Sequence, residues 1–253
     1  MTTEIFGPLH AAWYDRWHHN KDYPAEAAQL REVFAAHGDV KSVLDLGCGT
    51  ARHLELLAAD GFEVGGVDRA PVMVAQAQER LAAFGTRASI TEGDLLTIRL
   101  DRRFDAVIMM FSVLGYLVTT RDLQRALASA RSHLGPGGLL VVDILDGTAI
   151  LANGPRGGFS VTADGDLQLL RATSGAVDTT TQVYEMGVRL WLLEGTRVLD
   201  HAEETHAMRY FLPRELDLVL DLAGFEALGS APVAGSGAGP AREWSKLVWA
   251  RAR

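Results

Sequence analysis

Between residues 42 and 145 the chain alternates short apolar runs with stretches whose apolar positions recur every three or four residues. The short runs are SVLDLG (42–47), EVGGVD (63–68), SITEGD (89–94), FDAVIMMF (104–111) and GLLVVDIL (138–145). Between them RHLELLAAD (52–60), APVMVAQAQERLAAFG (70–85) and TRDLQRALASARSHLG (120–135) carry the helical period. Pro71 stands near the first turn of the second, and the second and third stop just before Gly85 and Gly135, which fits helix start and stop chemistry. Strands rich in Val, Ile and Leu, separated by helices, predict a parallel sheet covered on both faces.

Upstream, PAEAAQLREVFAAHG (24–38) sets Leu30, Val33, Phe34 and His37 on one helical face, which predicts a helix capping the sheet edge. Beyond residue 146 the texture changes. FSVTAD (159–164), LQLLRATS (167–174), TQVYEMGVRLWLLEG (181–195) and TRVLDHAEETHAMRYFL (196–212) read as strands, with turn signals at Asp164-Gly165 and Glu194-Gly195. They predict a small antiparallel sheet inserted late in the parallel fold. That fold resumes with PRELDLVLDLAG (213–224), FEALGS (225–230) and SKLVWAR (245–251), while GSGAGPA (235–241) reads as a mobile loop. The expected organisation is a helical segment over 1–40, a core from 41–146 and 211–253, and an inserted sheet over 147–210.

Composition narrows the function classes. With 253 residues, 22% of them charged, and a net charge of −8, the chain is an ordinary globular length and acidic. It has no Lys/Arg-rich run, which argues against a protein that grips a nucleic-acid backbone. Its apolar runs are too short or too broken to span a bilayer, and MTTEIFGPLH lacks the pattern of a secretion signal. The single cysteine, Cys48, excludes an intrachain disulfide and a cysteine-built zinc site. The expectation is a cytoplasmic protein with a small-molecule partner, no nucleic-acid or membrane partner and no metal.

The first strand–turn–helix, SVLDLGCGTARHLELL (42–57), is the natural place for a ligand, because open parallel sheets bind at strand C-terminal ends where strand order reverses. The dinucleotide fingerprint needs a third glycine where Arg52 stands, and the P-loop lysine is missing, so neither a nicotinamide nor an ATP reading fits. A carboxylate follows each of three consecutive strands instead: Asp45, Asp68 and Asp94. Asp68 could accept bonds from two ribose hydroxyls, and Asp94 from an adenine amino group beside Leu95. With Gly47, Cys48 and Gly49 at the corner, the pattern suits a nucleoside carrying a cationic amino-acid tail, provided an open chamber faces it.

These motifs also resemble a known family. VLDLGCGTARHLELL, GGVDRA, EGDLL, RRFDAVIMMFSVLGYL and HLGPGGLLVVD are similar, in order, to the motifs of class I S-adenosylmethionine-dependent methyltransferases. More narrowly, YDRW, KDYPAEA, GT-x-x-HL and MFSVLGYL resemble the N-methyltransferases of nucleotide-linked deoxyaminosugars in antibiotic biosynthesis. Two departures stand out: Ala51 replaces the usual third motif glycine, and DILDGTAIL replaces an acidic, tryptophan-rich segment after the fifth strand. The resemblance implies a seven-stranded Rossmann-like methyltransferase sheet with an inserted antiparallel sheet, S-adenosyl-L-methionine as cofactor and S-adenosyl-L-homocysteine as product. It places Tyr14, Tyr23 and Glu26 in an N-terminal lid and His53 near the cofactor tail. Arg69 and Gly93 belong with the cofactor motifs.

Methyl transfer from a sulfonium needs alignment and exclusion of water rather than a nucleophilic residue. Met110, Phe111 and Ser112 leave the fourth strand and should pass the methyl group, with Tyr116 one turn on; Tyr14, Ser112 and Tyr116 are the catalytic candidates. Glu26, Trp17, Trp191 and Arg242 are the further candidates for acceptor binding. His18 and His19 read as solvated, His133, His201 and His206 as surface or sheet residues rather than bases, and Arg52 as a solvated helix arginine. An amine acceptor on a small natural-product-like molecule is preferred. The alternatives are an electron-rich aromatic carbon served by Trp13, Trp17, Phe111, Trp191 and Trp244, a hydroxyl, or a protein that binds the cofactor without catalysis. The inserted strands could pair two subunits as a homodimer.

Overall fold

The computed structural model describes residues 5–18, 21–155, 157–235 and 244–253. Five strands, β1 (Ser42–Leu46), β2 (Glu63–Asp68), β3 (Ala88–Glu92), β4 (Phe104–Met109) and β5 (Leu134–Leu145), run parallel. With β10 (Phe225–Pro232) and β11 (Ser245–Ala252) they form a seven-stranded sheet of order β10-β11-β5-β4-β1-β2-β3. β11 is antiparallel to both neighbours. The chain leaves β1 toward β2 and β3 and later returns to the other side as β4, so strand order reverses at β1.

Both faces of this sheet are apolar, and helices cover both. On one, Leu30, Val33 and Phe34 of α2 (Tyr23–His37) and Leu54 and Leu57 of α3 (Arg52–Ala59) pack on Val43, Ala106, Ile108 and Val141. α4 (Pro71–Leu81) joins them through Ala77. On the other, α5 (Thr120–Ser132) and α7 (Pro213–Leu222) cover Leu44, Val107, Leu140 and Val142 with Leu123, Leu127, Leu216 and Leu220. α2 therefore lies on the sheet face and not at its edge, contrary to the sequence expectation. Its Leu30-Val33-Phe34 stripe needs an apolar surface, and a sheet edge offers unpaired backbone instead.

The second half follows the expected pattern. β6 (Gly158–Asp164), β7 (Leu167–Asp178), β8 (Val183–Glu194) and β9 (Arg197–Arg209) make an antiparallel sheet in that order, turning at Gly165 and Gly195 with φ of 60° and 58°. One face of it, with Leu169, Val188 and Leu190, packs on Leu9 and Trp13 of α1 (Pro8–Trp17). The inserted sheet is thus fastened to the N-terminal helix. DILDGTAIL contains a short helix, α6 (Gly147–Asn153), with the Asp146 carboxylate accepting from Thr148 N at 2.9 Å; the sequence reading has no helix there. Most of 235–241, together with His19 and Arg242, lies outside the described residues.

Candidate functional site

At the end of β1 the backbone turns sharply. Gly47 has φ of 89°, and a Cβ on it would lie 2.8 Å from the Val113 side chain; Gly49 has φ of 54°. The N–H groups of Gly47 and Cys48 donate to Val67 O at 2.7 and 3.0 Å, which anchors the corner to β2. Ala51, before α3, also takes a left-handed φ of 63°, the conformation that glycine adopts without strain. Arg52, in the third-glycine position, is half-buried: its guanidinium lies 5.5 Å from the Tyr23 ring centroid. It is not the solvated helix arginine of the sequence reading, because Tyr23 of α2 folds over it.

The three carboxylates stand at the tips of adjacent strands. Asp45 is 2% exposed, and its Oδ1 has no hydrogen-bond partner. Burial, aided by Asp68 and Asp143, pushes its carboxyl well up. A cationic N–H donor would supply the missing bond and reverse that shift. Asp68 ends β2, where Oδ2 accepts from Gly49 N and Oδ1 from Ala70 N, both at 2.9 Å. Gly93 N donates to Asp68 O at 2.9 Å, and exposed Asp94 accepts from Leu96 N at 2.8 Å. Arg69 is exposed, whereas Leu95 packs against the core.

One cavity gathers much of the expected set. Tyr14, Tyr23, Asp45, Gly47, Cys48, Gly49, His53, Met110 and Phe111 line it, with Thr50 and Arg52 at its rim. Its volume is about 30 Å³, too small for a nucleoside, so it is narrower than the open chamber the sequence reading requires. The cause is α1 and the start of α2. The Asp15 carboxylate accepts from Thr50 Oγ1 at 2.8 Å and pairs with Arg80, which latches α1 onto the turn. Lys21 lies 4.7 Å from the Phe111 ring centroid and pairs with Glu26. Glu26 Oε2 also bonds His53 Nε2 at 2.7 Å, so this expected acceptor contact serves in this structure to join α2 to α3. Those contacts hold its carboxyl below the usual range although burial pushes the other way.

Past β4, Phe111 and Ser112 both take left-handed backbone, with φ of 70° and 57°. Asp143 of β5 holds them there, its Oδ1 accepting from Ser112 N at 2.7 Å. Burial pushes the Asp143 carboxyl up to about 7. Tyr116 follows on the 3-10 turn Val113–Tyr116, and its hydroxyl lies 2.9 Å from His206 Nδ1. His206 is the sheet residue of the sequence reading rather than a surface one: it lies on β9, 1% exposed, in a buried cluster with Glu204 and His10. Its place follows from strand alternation: Glu204, His206 and Met208 share the face of β9 turned to α1 and Tyr116. The E-x-H spacing in AEETH carries that signal, provided the buried face of the strand is known.

Other expected residues lie elsewhere. Trp17 stands against the inserted sheet, 3.6 Å from the Arg171 guanidinium and stacked on His18 at 5.1 Å. His18 is half-buried rather than solvated, and burial with nearby Arg171 draws its imidazole down to about 3. His133 is also buried, where Nε2 accepts from Leu100 N at 3.0 Å. Trp191 points to the outer face of β8, opposite Val188 and Leu190. Trp13 and Trp244 belong to two separate apolar clusters. The tryptophans do not assemble one aromatic pocket.

A switch-point site with a glycine corner, an orphaned buried carboxylate and strand-tip acids defines a nucleoside-binding enzyme of the Rossmann-like class. The sequence profile described as "Methyltransferase domain" matches residues 43–138. The chain is 30% identical over 225 residues to a dTDP-3-amino-3,6-dideoxy-alpha-D-glucopyranose N,N-dimethyltransferase of Streptomyces fradiae, covering 85% of this chain and 82% of that protein. It is 38% identical over 137 residues to a dTDP-3-amino-3,4,6-trideoxy-alpha-D-glucopyranose N,N-dimethyltransferase of Streptomyces venezuelae, covering 53% of this chain and 56% of that relative. The crystal structure of Streptomyces venezuelae DesVI superposes with a TM-score of 0.78 at 27% identity, covering 94% of this chain and 97% of that one. The chain belongs to the S-adenosylmethionine-dependent methyltransferases, in the branch that holds the aminosugar N-methyltransferases. Its cofactor is S-adenosylmethionine.

Proposed function

We propose that the acceptor is the amine of a nucleotide-linked deoxyaminosugar and that the chain methylates its nitrogen. The observation that carries the reading is the 225-residue similarity to the Streptomyces fradiae enzyme, which runs through the acceptor side of the fold as well as the cofactor motifs. When bound, S-adenosylmethionine supplies a methyl group on a cationic sulfur. Asp45 accepts from its ammonium, Asp68 from the ribose and Asp94 from the adenine, with Arg69, Gly93 and Leu95 beside them. Gly47, Cys48 and Gly49 provide the close backbone approach, and Tyr14, Tyr23, His53, Met110 and Phe111 enclose the tail. Ser112 and Tyr116 stand toward the acceptor amine. Alignment of this kind is worth about 7–11 kcal/mol in ideal cases, provided water is excluded. We assign that exclusion to the segment over 1–40, with 41–146 and 211–253 holding the cofactor and 147–210 contributing the acceptor side.

The scattered tryptophans speak against methylation of an aromatic carbon. The test is release of S-adenosylhomocysteine with dTDP-3-amino-3,6-dideoxy-α-D-glucopyranose and with its 3-hydroxy counterpart. Turnover of the amine alone is the expected result. Equal turnover of the hydroxyl compound would reject nitrogen as the acceptor, and cofactor binding without turnover of any amine would favour a non-catalytic binder.

A further inference from the structure

Behind Tyr116 stands a buried series of titratable side chains that the cofactor site does not use. The Tyr116 hydroxyl lies 2.9 Å from His206 Nδ1, and His206 Nε2 lies 3.0 Å from Glu204 Oε2. His10 Nδ1 lies 2.7 Å from the same oxygen. His10, Glu204 and His206 are 4%, 2% and 1% exposed. Two backbone groups complete the set, Gly7 N donating to Glu204 Oε1 at 3.1 Å and Phe6 N to Oε2 at 3.3 Å.

The chemistry of the donors constrains where the protons are. Burial would raise the Glu204 carboxyl, but bonds from His10 and His206 hold it well below the usual range, so it is a carboxylate. A carboxylate only accepts, so each imidazole presents an N–H to it. For His206 that N–H is on Nε2, and in the neutral imidazole Nδ1 then accepts from the Tyr116 hydroxyl. Hydroxyl, imidazole and carboxylate then stand in series, the order in which a hydroxyl proton can move to an imidazole that a carboxylate stabilises. Phe6 packs between this series and Tyr14 of the cofactor cavity: its ring centroid lies 5.9 Å from that of Tyr116 and 6.1 Å from that of Tyr14. Among the described residues, His10 and Tyr14 of α1, Arg171 of β7 and Arg69 after β2 are the other ionisable groups facing the series.

An amine that arrives as an ammonium has no lone pair with which to attack. We propose that Tyr116 and His206 form a proton relay that deprotonates the acceptor ammonium, with Glu204 and His10 as positioning residues; this rests on the amine reading above. The N–H bond breaks and its electron pair stays on nitrogen, while the proton joins the Tyr116 oxygen. The proton of Tyr116 moves to His206 Nδ1 in the same step. His206 becomes an imidazolium whose Nε2–H still donates to Glu204. When product leaves, the proton returns through Tyr116 to solvent.

The test follows turnover of dTDP-3-amino-3,6-dideoxy-α-D-glucopyranose from about pH 6 to about pH 9. Wild type is compared with Tyr116→Phe and His206→Gln. Both variants should lose about 100-fold or more in kcat near neutral pH, within the usual reach of general-base assistance. The loss should shrink steadily as pH rises and the free amine comes to dominate, with the KM for S-adenosylmethionine unchanged. A loss of equal size at every pH, or no loss at neutral pH, overturns the relay. Tyr116→Phe keeps the ring and its packing, which guards against a folding defect in His206→Gln. Nitrogen NMR of His206 in the wild type reads the tautomer without turnover: an Nε2–H form is expected, and an Nδ1–H form overturns the relay. Stoichiometric zinc in the purified protein would do so too, because His10, Glu204 and His206 would then be ligands. Failure of the wild type on every amine, with His206 in the Nε2–H form, would overturn the amine reading and the relay's use with it.

Discussion

Gly47 shows how one residue can decide the site. Its φ of 89° and the Val113 side chain 2.8 Å from where a Cβ would stand leave no room for alanine. Gly47→Ala should destabilise the fold by about 1–3 kcal/mol, measured by denaturant unfolding, and abolish cofactor binding. An unchanged midpoint would show that the corner relaxes freely. Asp68→Ala should weaken S-adenosylhomocysteine by about 1–3 kcal/mol in calorimetry, since a buried ribose hydroxyl loses its acceptor; unchanged affinity would remove Asp68 from the site. Asp143 gives a pH signature. Burial raises its carboxyl from 3.8 to about 7, so the folded state holds this proton more tightly than the unfolded chain. Its contribution to stability is therefore present at low pH and lost as pH rises through about 7. Asp143→Asn should be more stable than wild type at about pH 8 by an order of 2–4 kcal/mol, and the gain should fade toward about pH 5. A pH-independent difference would show that the raised carboxyl is not the cause. Asp45, Asp68 and the two glycines were legible in the sequence because strand-end acids and glycine turns are local signals. Asp143 and His206 were not, because their partners Ser112 and Tyr116 are 31 and 90 residues away in the chain.

At the level of elements, legibility followed periodicity. α3 and α5 lie within one and three residues of the expected segments because their apolar stripes are regular. α6 was missed because seven residues, GTAILAN, give too few turns for a period to show. α2 was found but set at the edge of the sheet, since a stripe says what a helix buries and not which surface receives it. The N-terminal segment was legible as helical, yet its contact with the glycine turn was not, because Asp15 meets Thr50 and Arg80 only in the folded chain. A cavity of about 30 Å³ holds a water or two and not a nucleoside, so the cavity must widen for the cofactor to enter. Added S-adenosylhomocysteine should slow amide hydrogen exchange in α1 and the first turn of α2, because the ligand braces the latch from beneath. Exchange that is unaltered there would mean the cofactor enters by another route.

For the molecule as a whole, the inserted sheet packs one face on α1 and turns the other outward. Phe159, Val161 and Val198 on that outer side are 66%, 52% and 54% exposed. We propose that two copies pair through it, which sedimentation at micromolar concentration should register as a dimer; a monomer that persists, with Phe159→Asp indistinguishable from wild type, would reject the pairing. The parallel core, the inserted sheet and the switch point all came through from sequence, since hydrophobic period fixes layers and layers fix where strand tips converge. Acceptor contacts did not, because Trp191 lies on the face of β8 turned away from α1 and Trp17, and a shift of a single residue would turn it inward. The measurement that bears most directly on the whole account is a crystal structure with S-adenosylhomocysteine. It should show the ligand against Gly47–Gly49, its ammonium on Asp45, its ribose on Asp68 and Tyr14 of α1 over its tail. Density for the ligand away from that corner, with Asp45 still unpartnered, would contradict it.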